Sequence, residues 1–215
     1  MKITYILFTI NIIVFIIDWL FQSMFMFSPQ LALWWKNFEA EFFYLNFFNA
    51  VFDLRIWEFF TYMFFHGNTM HIFFNMFALL MFGLEVEEYM GHLNFLFFYL
   101  FTGLFSGVLA SIIQPYAYLL GASGAIFGLL FAFGKLFPER ELLFFFIIPM
   151  KAKVAVFVLG AMELFFGVTD TMEGIAHFAH LGGILFGWIY FKYFYRRVQR
   201  FIVSHLWKWE VKFLG

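Results

Sequence analysis

Leu119-Leu120-Gly121-Ala122-Ser123-Gly124-Ala125-Ile126-Phe127-Gly128-Leu129-Leu130 sets one serine among small residues at the head of an apolar run. The glycines permit a tight turn and close helix packing, and the run is too hydrophobic for a soluble loop. Ser123 reads either as a nucleophile at a helix start or as a plain N-cap on a helix with a small packing face. Pro138 stops the run, so Ser123 to Phe137 gives about fifteen residues, near 22 Å at roughly 1.5 Å per residue, against about 30 Å of bilayer hydrocarbon. A span that short begins below the membrane surface. The loop before it must dip, which is tolerated only where protein or water lines it. Ser123 is therefore expected inside the membrane.

The remainder of the chain supports a bilayer setting. It has 215 residues, 64% hydrophobic and 13% charged, with 40 Phe, no Cys and a formal net charge of -1. This length holds roughly six spans of about 20 residues with short loops. The charge gives no nucleic-acid footprint, and the lack of Cys excludes disulfides, Cys nucleophiles and thiolate metal sites. Spans are expected at about 3–21, 69–88, 93–113, 123–137, 155–168 and 173–195. The first follows Lys2 and lacks a small-x-small cleavage site, so it reads as a retained span that carries Asn11 and Asp18. Between about Gln22 and Ile56, aromatic residues mixed with charges suit helices lying in the headgroup region. The segment Leu142 to Lys153, with Pro149, Lys151 and Lys153, is expected at the other interface, and Thr169-Asp170-Thr171 reads as a turn. The expected fold class is thus an all-α six-span bundle over residues 1–198, followed by a cytoplasmic basic and aromatic tail, 199–215.

Basic residues orient the bundle. With both termini inside, eleven of the 13 Lys and Arg are cytoplasmic, leaving Lys36 and Arg55 outside. His71, Asn75, Ser123, His177 and His180 then all fall near the outer ends of their spans. One leaflet holds every candidate polar group.

A buried serine needs a base to take its proton, and histidine is the usual one. His180 lies at a depth similar to Ser123. Gly183 and Gly187 continue its helix face, while Gly124 and Gly128 offer a matching small face on the fourth span. His177, one turn nearer the surface, competes for the role but lacks the glycine pair. His71 and Asn75 are four apart on one face of the second span, and with the Ser123 backbone N–H they can bind a developing oxyanion. Among the aspartates Asp18, Asp53 and Asp170 none is placed behind His180, so a Ser/His dyad is expected. Phe127, one turn after Ser123, is expected to pack on the imidazole. Gly83, Glu87 and Gly91 share a face at the exit of the second span, and Gly103 and Gly107 form a small-xxx-small pair on the third.

At these residues the chain resembles the rhomboid family of intramembrane serine proteases. Gly121-Ala122-Ser123-Gly124 resembles the family's Gly-x-Ser-Gly motif, and Ala179-His180-Leu181-Gly182-Gly183 with Gly187 resembles its Ala-His-x-x-Gly-x-x-x-Gly motif. His71-x-x-x-Asn75 resembles its oxyanion pair, and Gly83-x-x-x-Glu87-x-x-x-Gly91 its second-span exit motif. The resemblance implies a rhomboid-like bundle and cofactor-independent hydrolysis of peptide bonds in or beside transmembrane segments of protein substrates. It favours His180 over His177 as base. A bacterial cytoplasmic membrane is the expected setting, and membrane lipids join the substrates as expected partners. Two departures stand out. Trp57-Glu58 replaces the Trp-Arg of many relatives, removing a headgroup anchor for which Arg55 is a candidate substitute, and Phe127 stands where some relatives have Tyr.

Two other functions fit parts of the pattern. A scaffold that binds transmembrane clients without cleaving them would use the same polar cavity. A haem or metal carrier would use His66, His71, His177 and His180, but it leaves Asn75 and Ser123 without a role, and HExxH is absent. No metal is expected, and the oligomeric state is left open.

Overall fold

The computed structural model describes residues 2–25, 27–144, 147–169 and 177–202. It is an all-α membrane bundle. Helix α1 (Ile3–Met24) crosses first, and its exposed Ile13, Ile16, Ile17 and Leu20 form a lipid-facing side. Three short helices follow: α2 (Pro29–Phe42), started by a proline; α3 (Phe47–Phe52), capped by Asn46 Oδ1 accepting from the Phe48 and Asn49 N–H groups; and α4 (Glu58–Thr61). The second span combines α5 (Thr69–Ala78), a π turn at Leu79–Gly83 and α6 (Leu84–Met90). Then come α7 (His92–Ile113), α8 (Ser123–Leu136), α9 (Ala152–Thr169) and α10 (His177–Ile189), which continues through a π turn into α11 (Tyr195–Phe201).

Among the described residues, Ile3–Met24, Thr69–Met90, His92–Ile113 and Ala152–Thr169 are long and apolar enough to cross a bilayer. Helix α8 has only 14 residues, about 21 Å at roughly 1.5 Å each, and is the most enclosed element. Its Ala125, Leu129, Ala132 and Phe133 lie in the main core with Leu79, Val86, Phe98 and Tyr99. A short central helix walled by longer ones is how this chain keeps a polar helix start below the surface.

The segment expected at the inner interface forms an antiparallel hairpin, β1 (Glu141–Phe144) paired with β2 (Ile148–Lys151). Glu139 binds both Lys151 and Lys153 beside it, which holds its carboxyl down at about 2. The expected turn at 169–171 and the start of the sixth span at 173–176 fall largely outside the described residues, as does most of the tail expected at 199–215.

The second-span motif has a different division of labour from the shared packing face expected. Glu87 reaches the start of α1, accepting from the Ile3 N–H at 2.6 Å, the Thr4 N–H at 2.9 Å and the Thr4 hydroxyl at 2.6 Å. Gly83 makes room for Thr4, since a Cβ there would lie 3.1 Å from Thr4 Cγ2. Gly91 is no packing residue: a Cβ on it would meet nothing, and its φ of +81° reverses the chain into α7. Gly103 and Gly107 accept Met63, Tyr62 and Leu45 from the segment before α5, and Gly103 also faces Ala125 of α8, where a Cβ would lie 3.4 Å from the alanine Cβ.

Candidate active site

Ser123 is the first residue of α8, reached by a loop that descends along protein. Leu45 and Leu119 exchange both backbone hydrogen bonds at 2.9 Å, and the Gly121 N–H donates to the Tyr62 carbonyl at 2.9 Å. Asn46 Nδ2 donates to the Pro115 and Ala117 carbonyls, while its own N–H goes to Glu58 Oε2 at 3.1 Å. The backbone polar groups of the dipping loop are thus met by neighbouring loops, the condition that membrane depth imposes. Glu58 is wholly buried in this scaffold, and burial raises its pKa. Arg55 pairs with Glu41 and Asp53 and lies over the Phe42 ring, so its charge is already engaged.

Ser123 Oγ and His180 Nε2 are 2.8 Å apart. The contact depends on close approach of α8 and α10. A Cβ on Gly183 would overlap the Gly124 carbonyl oxygen and lie 3.0 Å from the Gly128 nitrogen, so only a glycine lets the two backbones touch. Gly124 and Gly128 themselves open toward α7, giving space to Ser106 and Thr102. The expectation that they present a small face to α10 is therefore corrected: their backbones meet α10, and their missing side chains admit α7. Gly187 accommodates Phe131 on α8.

Phe127 stacks on His180 with ring centroids 4.3 Å apart and planes within 8°. The ring fixes the imidazole plane by packing alone, as the position one turn after Ser123 suggests. On the other side of Ser123 stands His71. A Cβ on Gly121 would lie 2.6 Å from His71 Nε2 and 3.8 Å from Ser123 Oγ, so ring and hydroxyl converge above that glycine. Asn68 caps α5 through the His71 N–H at 2.9 Å. Asn75 is buried one turn on, with its amide donating to the His71 carbonyl at 3.1 Å. His66, buried and edge-on to His71 at 5.0 Å, belongs to the same wall.

The sequence-based expectation that no acid stands behind His180 is overturned. Glu163 on α9 brings Oε2 to 2.6 Å from His177 Nδ1 and 3.0 Å from His180 Nδ1. The signal in the sequence was a lone carboxylate inside an apolar span, Glu163, which is costly there unless paired. His177 is accounted for by this carboxylate, and His180 holds the contact to Ser123.

Among the described residues, Glu163, His177 and His180 alone bring three potential ligand atoms together, within 4.8 Å. Two imidazoles and a carboxylate are zinc-type donors, but ligand atoms around tetrahedral zinc stand about 3.4 Å apart given bonds of roughly 2.1 Å. Separations of 2.6 and 3.0 Å are those of hydrogen-bonded partners. His66 and His71 stand outside the group, so the four-histidine carrier set is not assembled.

A family model described as Rhomboid domain matches residues 53–197. The chain belongs to the rhomboid family. It is similar to Rhomboid protein 1, mitochondrial, of Saccharomyces cerevisiae, 35% identical over 63% of this chain and 41% of that protein. It is also similar to Rhomboid-like protein 11, chloroplastic, of Arabidopsis thaliana, 34% identical over 61% of this chain and 50% of the relative. Rhomboid-like protease 3 of Toxoplasma gondii is 27% identical over 68% of this chain and 55% of its own length. The chain thus spans about half or less of the length of these relatives. The matched segment of this rhomboid protein runs from the loop before α4 to the start of α11 and contains Ser123, His180, His71 and Asn75.

Proposed function

We propose that this rhomboid protein is an intramembrane serine endopeptidase that cleaves peptide bonds in or next to transmembrane segments of membrane-protein substrates. The observation that carries this is the 2.8 Å contact between Ser123 Oγ and His180 Nε2 at the start of a short central helix. Ser123 attacks the scissile carbonyl, its proton passes to His180 Nε2, and the carbonyl oxygen takes the negative charge. His71, Asn75 and the Ser123 N–H stabilise that oxygen, the asparagine by turning its amide from the His71 carbonyl toward it. Collapse breaks the C–N bond as His180 returns the proton to the leaving amine, and water repeats the sequence on the acyl-enzyme. No cofactor enters these steps.

A fully hydrogen-bonded substrate helix hides its carbonyls, so substrates are expected to unwind locally at small or helix-breaking residues. The distribution of Lys and Arg supports cytoplasmic termini and a site open to the outer face.

The experiment is reaction of detergent-purified protein with a fluorophosphonate probe. Labelling of the wild type, lost in Ser123→Ala and His180→Ala, is the expected result. A folded wild type that takes no label would sink the proposal and leave the client-binding scaffold.

A further inference from the structure

Helix α9 carries one carboxylate, Glu163, and directs it at two histidines of α10. The side chains of Glu163, His177 and His180 are only 14%, 7% and 12% exposed. His177 and His180 are three apart, so one helical turn presents both to the same carboxylate. Oε2 makes an aligned bond with His177 Nδ1 at 2.6 Å. It stands 3.0 Å from His180 Nδ1, an atom that is buried and out of line for a hydrogen bond in this arrangement. A buried donor left unmade is costly, so this pair has a driving force to align.

We propose that Glu163 is a positioning residue for His180, clamped in place by His177, and so turns the Ser/His pair into a three-membered relay. This rests on Ser123 and His180 acting as proposed above. An imidazole that gives its Nδ1–H to a carboxylate has its Nε2 lone pair bare, and Nε2 is the nitrogen facing Ser123. When Nε2 takes the Ser123 proton, both ring nitrogens carry hydrogen and the ring is positive. Glu163 stays ionised beside it and offsets that charge inside the membrane, where an uncompensated cation is costly. Phe127 sets the plane of the ring; Glu163 sets which nitrogen bears the proton. His177 gives the carboxylate a second donor, which holds Oε2 between the two rings.

The test uses the full chain, with ring-15N-labelled histidine and a single-span model substrate. Wild-type His180 is expected in the Nδ1–H form, and Glu163→Gln is expected to lose that preference. In turnover, Glu163→Gln should lower kcat about 100-fold with KM within about twofold, and Glu163→Asp should restore part of it. The proposal is overturned if Glu163→Gln keeps both the His180 tautomer and kcat, or if kcat falls only in proportion to folded protein while the tautomer is unchanged. The nitrogen spectrum needs no turnover. A wild type in the Nδ1–H form that nevertheless takes no fluorophosphonate would therefore count against the protease reading and leave the Glu163–His180 contact standing.

Discussion

At Gly121 the backbone has a φ of +118°, a region that L side chains rarely adopt, and the missing Cβ is the space that His71 occupies. Backbone strain and steric conflict therefore coincide at one residue beside Ser123. Gly121→Ala is expected to cost about 1–3 kcal/mol of stability and to displace the His71 ring, lowering the rate of fluorophosphonate labelling about tenfold or more. Labelling at the wild-type rate would show that His71 does not depend on this glycine. The motif around Ser123 was legible because its span is too short to reach the surface and because His71, Asn75 and His180 fall at a similar depth; the serine and its small neighbours alone fit an N-cap equally well. Glu163 was not, because nothing in linear order ties residue 163 to residue 180; α9 must lie against α10 before the carboxylate has a partner.

Among the elements, the join between α1 and α6 is the most explicit in its chemistry. The Glu87 carboxylate sits at the N-terminus of α1 and accepts three bonds from Ile3 and Thr4, where the helix dipole favours negative charge. His92 also contacts it. Glu87→Gln keeps the shape but loses the charge, and is expected to destabilise the protein by about 1–3 kcal/mol. The measurement is a lower unfolding temperature, with unchanged labelling of Ser123 at temperatures where the protein stays folded. Equal unfolding temperatures would mean the cap contributes little. The spacing of Gly83, Glu87 and Gly91 correctly marked a special place, but it could not separate a residue that admits Thr4 from one that reverses the chain. Those roles depend on backbone dihedrals and on a helix more than 80 positions away.

Over the whole molecule, pH is felt where the outer helices meet α1. Glu39 on α2 is fully buried beside Asp18, and burial followed by that neighbouring carboxylate lifts its pKa from 4.5 to about 9. Between those values the unfolded chain has released a proton that the folded chain retains. Stability therefore falls as pH rises from about 4.5, and the loss levels off above about 9. Glu39→Gln imitates the protonated form. It is expected to raise stability at pH 8, by about 5 kcal/mol at most, and to match the wild type at pH 4. Thermal unfolding across that range checks it, and parallel curves for the two proteins would show that Glu39 ionises normally in the fold.

Composition and periodicity alone determined that this chain lives in a bilayer, roughly where it crosses, and that a serine lies at the head of a span too short to reach the surface. Those properties follow from length, hydrophobicity and local spacing, which are carried by neighbouring residues. Only the tertiary structure decided which faces meet: that Gly128 admits Thr102 of α7, that Glu58 is buried under Asn46, and that Glu163 stands between two histidines. Each is a pairing between helices or loops distant in sequence, and the packing of several spans at once selects it.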